Sequence, residues 1–417
     1  MNDIQRAIDA VWRIESAKII ATVARMVREV GLAEELAQDA LVAALERWPQ
    51  TGIPTKPGAW LTTVAKHSAI DHLRRRKLLE RKHEELGREL EAELETAASF
   101  ADAMNQDEDI DDDLLRLLFV ACHPILSPEA RVALTLRLLG GLTTDEIARA
   151  FLISEATVAQ RIVRAKRTLA EAKVPFEVPR AEERTERLAS VLAVLYLIFN
   201  EGYAATAGES WMRPSLCEEA LRLGRMLAEL APQEAEVHGL VALMEIQASR
   251  LRARSGPDGE PILLLEQDRS RWDYLLIGRG LSALKRAEGL ADQGSYTLQA
   301  AIAACHARAR TAQETDWKLI VGLYDALLRQ TQSPIVELNR AVAVSMADGH
   351  AAGLALADAL TENEILRNYH LLPCVRGDLL LKLGRQAEAR AEFERAAALT
   401  RNLREQALML KRAKACS

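Results

Sequence analysis

The stretch Trp60–Lys82, WLTTVAKHSAIDHLRRRKLLERK, repeats its apolar residues at helical intervals. Leu61, Val64, Ala65, Ala69 and Leu73 recur at three- and four-residue steps, the period of one buried helical face. Lys66, Ile70 and Arg74 lie on the other side, followed by Arg75, Arg76, Lys77, Arg81 and Lys82. Pro57-Gly58, just upstream, is a natural place for a helix to start. A helix buried on one side and cationic on the other suits a polyanion, but most charge runs are solvated faces. The segment alone leaves both readings open. Elsewhere no run of alternating residues is bounded by turns. Proline (13) and glycine (21) are sparse among 417 residues, and Ala, Leu, Glu and Arg dominate, so the expected fold class is all-α.

At this length two to four domains are expected. The net charge of −6 argues against a protein that coats nucleic acid indiscriminately, but its sign is uneven along the chain, and local patches matter more than the total. The N-terminal MNDIQRAIDAVWRIES has no apolar core of signal-peptide type. The greasiest run, Leu188–Phe199, is shorter than the roughly 20 residues a membrane span needs and reads as a core helix. Five scattered cysteines (122, 217, 305, 374 and 416) without a C-x-x-C pair fit reduced thiols in a cytoplasmic protein.

The sequence assembles no catalytic constellation, so the expectation is a non-enzyme without cofactor or metal. There is no phosphate-cradling Gly-Lys-Ser/Thr loop and no G-x-G-x-x-G after a strand. His83-Glu84-Glu85 lacks a second histidine. Cys122-His123 and Cys305-His306 are neighbours that point about 100° apart on a helix, so neither pair is expected to share a metal. Asn200-Glu201-Gly202-Tyr203 hints at a pocket, although a helix end held by local hydrogen bonds is the preferred reading.

In chain order, residues 4–47 read as two or three helices. Val11, Ile14, Ile19, Ile20, Val23, Met26 and Val27 form an apolar face that Gly31 ends. In Leu32–Trp48, Leu36, Ala40, Leu41, Ala44 and Leu45 point inward, and Glu34, Glu35, Gln38, Asp39 and Glu46 outward. Arg47–Ala59 is a loop by its prolines and glycines. Glu84–Asp113 is acidic and reads as a solvated linker, with shielding of the basic helices as the lesser alternative.

Beyond it, Ser127-Pro128 starts a helix that Gly140-Gly141 stops. Thr143 and Glu146 fit a capping box, and Ser154 caps a helix from Glu155 to about Ala172. Val158, Ile162, Ala165 and Leu169 form that helix's core stripe; Thr157, Gln160, Arg161, Arg164 and Arg167 face away from it or flank it. A short helix, a tight turn and a longer helix with a polar, basic outer face make a helix-turn-helix. Arg and Gln make the paired hydrogen bonds that distinguish guanine and adenine in the major groove. An ordinary helical hairpin is the bland alternative. After Pro175 and Pro179, Gly377, Leu380, Gly384, Ala389, Phe393 and Ala396 fall at tetratricopeptide spacing. A weaker echo runs from Leu338 to Ala359 around Gly349, and Leu221–Ile246 reads as two helices broken at Pro232. The expectation for 176–417 is a degenerate helical solenoid whose concave groove takes a peptide or partner protein. Residues 255–261, SGPDGEP, read as a surface loop.

Three motifs in order resemble bacterial RNA polymerase sigma factors of the sigma-70 family, extracytoplasmic-function group. ELAQDALVAALERWP is similar to region 2.2, PGAWLTTVAKHSAIDHLRRRK to regions 2.3 and 2.4, and LTTDEIARAFLISEATVAQRIVRAKRTLA to region 4. The resemblance implies a region 2 bundle (1–83), the acidic linker (84–113), a region 4 helix-turn-helix domain (114–175) and a further helical domain (176–417). It implies that Glu35, Gln38 and Asp39 meet the clamp helices of the largest subunit of core RNA polymerase. The loop Arg47–Ala59 would capture a flipped −10 base. Trp60, Lys66, His67, Asp71, Arg74 and Arg75 would line −10 promoter DNA, and Thr157, Gln160, Arg161 and Arg164 would serve the −35 element. The region 4 unit would also meet the polymerase flap region. Leu152 stands where the family often has glycine, and Ala159 where a basic residue is common. The chain also runs on past residue 180, as in the subgroup with a C-terminal tetratricopeptide-like extension that takes part in control. Two other readings stay open: an autonomous helix-turn-helix regulator with a helical sensor, and a repeat scaffold that binds no DNA.

Overall fold

The computed structural model describes residues 3–84, 110–151, 153–257, 259–291 and 293–416. The fold is all-α, and among the described residues the only strands are two of two residues each. The chain divides into two units, Met1–Val194 and Leu195–Ser417. Leu152 and residues 85–109, most of the acidic segment, lie outside the described residues.

In the first unit α1 (Asp3–Val27), α2 (Val30–Thr51) and α3 (Pro57–Glu84) pack mutually. Ile8, Ile19, Ile20 and Val23 of α1 are buried with Leu61, Ala65 and Ala69 of α3. From α2 come Ala33, Ala37, Ala40 and Ala44, whose short side chains let helices approach, and Trp48. Ile14 and Leu45 are not inward as the sequence suggested: they are 68% and 37% exposed. Ile14 sits six residues before Ile20, roughly 240° around the helix, and Leu45 lies one step beyond the Ala44 stripe. The break between α1 and α2 falls at Arg28, whose φ is 56°, and not at Gly31. Gly31 lies within α2, where a Cβ would come within 3.2 Å of Glu29 and 3.7 Å of the Lys166 stem. The glycine serves close packing. The loop is also shorter than Arg47–Ala59, because α2 keeps Pro49 inside its last turns and ends at Thr51.

Next come α4 (Ile110–Ala121), α5 (Pro128–Leu138), α6 (Thr144–Phe151) and α7 (Glu155–Glu171). α4 packs against α1 and α5, and α7 against α5, α6 and α2. Asp113, expected to close a solvated linker, is 1% exposed inside α4. Its carboxylate takes Arg25 at 3.3 Å and Arg116 at 2.6 Å, which is how a buried charge is tolerated. Helix α8 (Ala181–Tyr203) begins in this unit. There Arg187 donates to the Phe119 carbonyl at 2.9 Å and Ser190 to that of Cys122 at 2.6 Å. These bonds hold the start of α8 against the end of α4, and the division between the units falls within α8.

The second unit is a succession of helices, most packing on the next. They are the end of α8, then α9 (Pro214–Leu230), α10 (Ala235–Ala248), α11 (Tyr274–Glu288), α12 (Ser295–Arg308), α13 (Trp317–Thr331), α14 (Pro334–Ala347), α15 (His350–Ala359), α16 (Leu371–Lys382), α17 (Gln386–Leu399) and α18 (Leu403–Lys414). The expected breaks at Pro232, Gly349 and Leu383-Gly384-Arg385 are all present. Gly384 adopts φ 76° in its turn, and a Cβ on Gly377 would lie 2.8 Å from the Phe393 ring. The strand β1 (Ala207–Gly208) pairs in parallel with β2 (Arg401–Asn402). Buried Asn402 fixes this join: its amide donates to the Ala205 and Ser210 carbonyls at 3.1 Å, and its oxygen caps α18. Two-residue strands leave no periodicity to read. Among the described residues no helix is long and apolar enough to cross a membrane.

Candidate nucleic-acid interface

Helix α3 opens with its backbone tight against α1, where a Cβ on Gly58 would lie 2.9 Å from Glu15. Thr62 and Thr63 turn their hydroxyls back onto the Gly58 and Ala59 carbonyls, at 2.9 and 2.8 Å. Trp60 meets buried Trp48 edge-on, ring centroids 5.4 Å apart, so the two indoles brace the ends of α2 and α3 across a loop of residues 52–56. His67, Asp71, Arg74 and Arg75 are exposed, while Trp60 and Lys66 are half-buried. Asp71 and Arg74 form a loose exposed pair at 3.8 Å, which contributes little to stability and leaves the guanidinium available. The six residues lie along one helix, and the described part of its basic face stands in solvent. The side chains of Arg81 and Lys82 lie outside those described.

The helix-turn-helix follows from local chemistry. Thr143 and Glu146 cap each other, each backbone N–H donating to the other's side chain at 2.9 and 3.1 Å. Ser154 accepts from Thr157 N–H at 3.1 Å and starts α7. Ile147 and Ala148 of α6 and Val158, Ile162, Ala165 and Leu169 of α7 are buried, which fixes the roll of α7. Gln160 and Arg164 are therefore exposed, and Thr157 and Arg161 half-buried. The Thr157 hydroxyl is 2.7 Å from that of Ser154, so it is engaged in the cap. Val163, unremarked in the sequence, is 63% exposed beside Gln160 and Arg164. Its offset from the stripe was the available signal. At the neighbouring helix start, hydrogen bonds from the backbone and from Ser127 hold the Glu129 carboxyl below its usual range. Cys122 and His123 are no reactive pair: burial pushes the thiol up to about 12 and the imidazole down to about 4.

On α2 one of the expected outward carboxylates points inward. Glu34 is 3% exposed, not outward. It accepts from Arg137 of α5 at 2.7 Å and from Gln38 at 2.7 Å, and pairs with Lys166 of α7. Its position one step from Ala33 and four from Gln38 put it near the buried stripe, but only the later helices supply the cations. Glu35 and Asp39 remain exposed, and Gln38 is half-buried against Glu34. Val42 (51% exposed) and Leu45 join the two carboxylates on the outside of α2, and these apolar members of the strip are the ones sequence reasoning missed.

Residues 14–78 match Sigma-70 region 2, and residues 116–169 match Sigma-70 region 4. The chain carries two sigma-70 family domains. Beyond these two domains, residues 187–288 match a family of unknown function. An uncharacterised protein of Rhizobium meliloti (strain 1021) is 45% identical over 384 residues, 92% of this chain and 89% of the relative. A probable ECF RNA polymerase sigma factor, SigI of Mycobacterium tuberculosis, is 28% identical over 177 residues. That match spans 42% of this chain and 59% of the relative. No solved structure matches the chain significantly.

Proposed function

We propose that this chain is a sigma-70 family factor, a promoter-specificity subunit of the extracytoplasmic-function kind, which directs core RNA polymerase to −10 and −35 elements. The observation that carries the reading is the pairing, in one chain, of a solvent-facing basic helix and a helix-turn-helix whose outer face offers Gln160 and Arg164. In this reading Glu35, Gln38 and Asp39, with Val42 and Leu45, dock on the clamp helices of the largest subunit, and residues 114–175 also meet the flap region. Trp60, Lys66, His67, Asp71, Arg74 and Arg75 engage the melted −10 strand, where a cationic, aromatic-edged surface suits unstacked bases. Thr157, Gln160, Arg161 and Arg164 read the −35 duplex. Residues 1–83 and 114–175 act as the two promoter-binding domains joined by 84–113. The helical hairpins of 176–417 form a tetratricopeptide-like regulatory domain with a peptide or partner-protein ligand.

Co-elution with core polymerase tests the docking surface. The protein is expected to run with core, and the Glu35→Lys/Asp39→Lys double variant to lose that association while staying folded. Undiminished association of the double variant contradicts the assignment.

A further inference from the structure

The second unit contains a cavity of about 260 Å³, walled by α8, α10, α12, α13 and α14. Its apolar lining is rich in rings, among them Tyr196, Phe199, Tyr203 and Tyr324. Asn200, Gln247, Gln299 and Asn339 add four amides, and among the described residues no carboxylate lines it. Among the described residues Arg250 is the one cation in the lining. It is only 7% exposed, and its Nε is buried without a hydrogen-bond partner. Its guanidinium donates to the Gln247 side chain and lies 5.9 Å from the Tyr203 and Trp272 ring centroids.

Two further arginines deepen the imbalance. Arg254 is 7% exposed, donates to the Tyr203 carbonyl and lies over the Tyr203 ring at 3.4 Å. Arg269 donates to the His306 and Ala309 carbonyls and lies over Trp272 at 4.6 Å. Among the described residues none of the three forms an ion pair with a carboxylate. Glu405 and Glu314 act on Arg254 and Arg269 only through space, and neither lines the cavity. Buried charge is ordinarily paired, and an unpaired one is costly. His306, also in the lining, is neutral near pH 7 because burial pushes it down to about 4, and its Nδ1 is buried without a partner.

We infer that this cavity is a binding site for a small organic carboxylate with an aromatic body, whose anion pairs with Arg250. A guanidinium takes a carboxylate bidentately, and one lining cation among neutral amides suits a monoanion better than a phosphate dianion. The ring walls suit an aromatic body, and a cavity of roughly 150 Å³ already holds benzene. The inference stands apart from promoter recognition, because its readout needs neither polymerase nor DNA.

Titration calorimetry on the full chain tests it with three probes: phenylacetate, the neutral isostere phenylacetamide, and inorganic phosphate. Phenylacetate is expected to bind at least about tenfold more tightly than phenylacetamide, the ratio expected of a charge-assisted hydrogen bond. Arg250→Met should abolish that ratio, and Arg250→Lys, which keeps the charge but not the fork, should reduce it. Asn339 is exposed and lines the cavity from α14, so Asn339→Trp, which leaves the Arg250 side chain in place, should weaken phenylacetate even if Arg250→Met fails to fold. Equal binding of acid and amide, unchanged affinity in Arg250→Met, binding of phosphate alone, or no binding of phenylacetate at millimolar concentration overturns the assignment.

Discussion

Two sets of arginines, one in each unit, are used in opposite ways. In the first, Arg74 has a side chain 76% exposed, and Arg75 and Arg164 also stand in solvent. Nothing in the fold depends on them, since an exposed pair such as Asp71–Arg74 contributes roughly 0–1 kcal/mol. In the second, Arg250 and Arg254 are buried against aromatic rings and satisfy backbone or amide oxygens without a carboxylate. The first arrangement leaves charge free to meet a polyanion. The second makes guanidinium groups part of the core while leaving the charge of Arg250 beside a cavity unanswered. Replacing an exposed arginine should therefore change binding and spare the fold, and replacing a buried one should change both.

The sharpest break in the comparison is Arg254→Ala. It removes ring contacts with Tyr203 and Trp211 and orphans the Tyr203 carbonyl. A loss of about 3 kcal/mol in second-unit stability is expected by denaturant unfolding. A loss under about 0.5 kcal/mol, the ordinary surface value, would erase the distinction between the units.

Next in size is a pH effect beside the same buried arginines. Burial first, then the charges of Arg250 and Arg269, holds His306 down to about 4, against 6.5 for the free side chain. The folded state thus binds fewer protons than the unfolded one in this window. The His306 contribution is complete above pH 6.5 and is lost as pH falls toward 4, by up to about 3 kcal/mol. His123 is held down to about 4 in the first unit as well, so the diagnostic quantity is the difference between wild type and His306→Gln. The variant's melting temperature should fall less steeply between pH 6.5 and 4.5. Parallel slopes would contradict the neutral, buried imidazole.

Glu34→Ala comes third. Arg137 and Lys166 keep 24% and 20% side-chain exposure, so water re-solvates part of what is lost. A cost of about 2 kcal/mol to the first unit is expected in thermal unfolding, below the range for a fully buried pair. A variant as stable as wild type would mean that Glu34 only lies in the seam without holding it.

The smallest expected effect on stability belongs to Arg164→Ala, within about 0.5 kcal/mol of wild type. On the reading proposed here it weakens discrimination at one −35 base pair by about 1–3 kcal/mol, measured by competition among promoter variants. Equal losses on all sequences would make Arg164 a phosphate contact instead.

What the sequence made legible was what neighbours along the chain decide. The Thr143–Glu146 box, the Ser154 cap and the stripe from Val158 to Leu169 depend on residues three or four apart, and all are present, as is the helix start at Ser127-Pro128. The exposure of Arg74, Arg75, Gln160 and Arg164 followed from those stripes. Glu34 and Asp113 were misplaced because their partners, Arg137, Lys166 and Arg25, lie about ninety or more residues away in sequence. Pro49 and Gly31 suggest breaks by residue type, yet a proline near a helix end and a glycine at a close approach both sit inside α2. The cavity was half-legible. Glu201 does form a local network, accepting from Thr206 and pairing with Arg213, as the helix-end reading expected. Its neighbours Asn200 and Tyr203 turn into the cavity instead, together with residues from helices far along the chain.

Run-off transcription with core RNA polymerase tests the central claim most directly. The account predicts a promoter-specific transcript that depends on this factor, is lost in Arg74→Glu and Arg164→Glu, and is accompanied by weak duplex binding in the absence of core. Tight binding to duplex promoter DNA without core, together with no factor-dependent transcript, would contradict it.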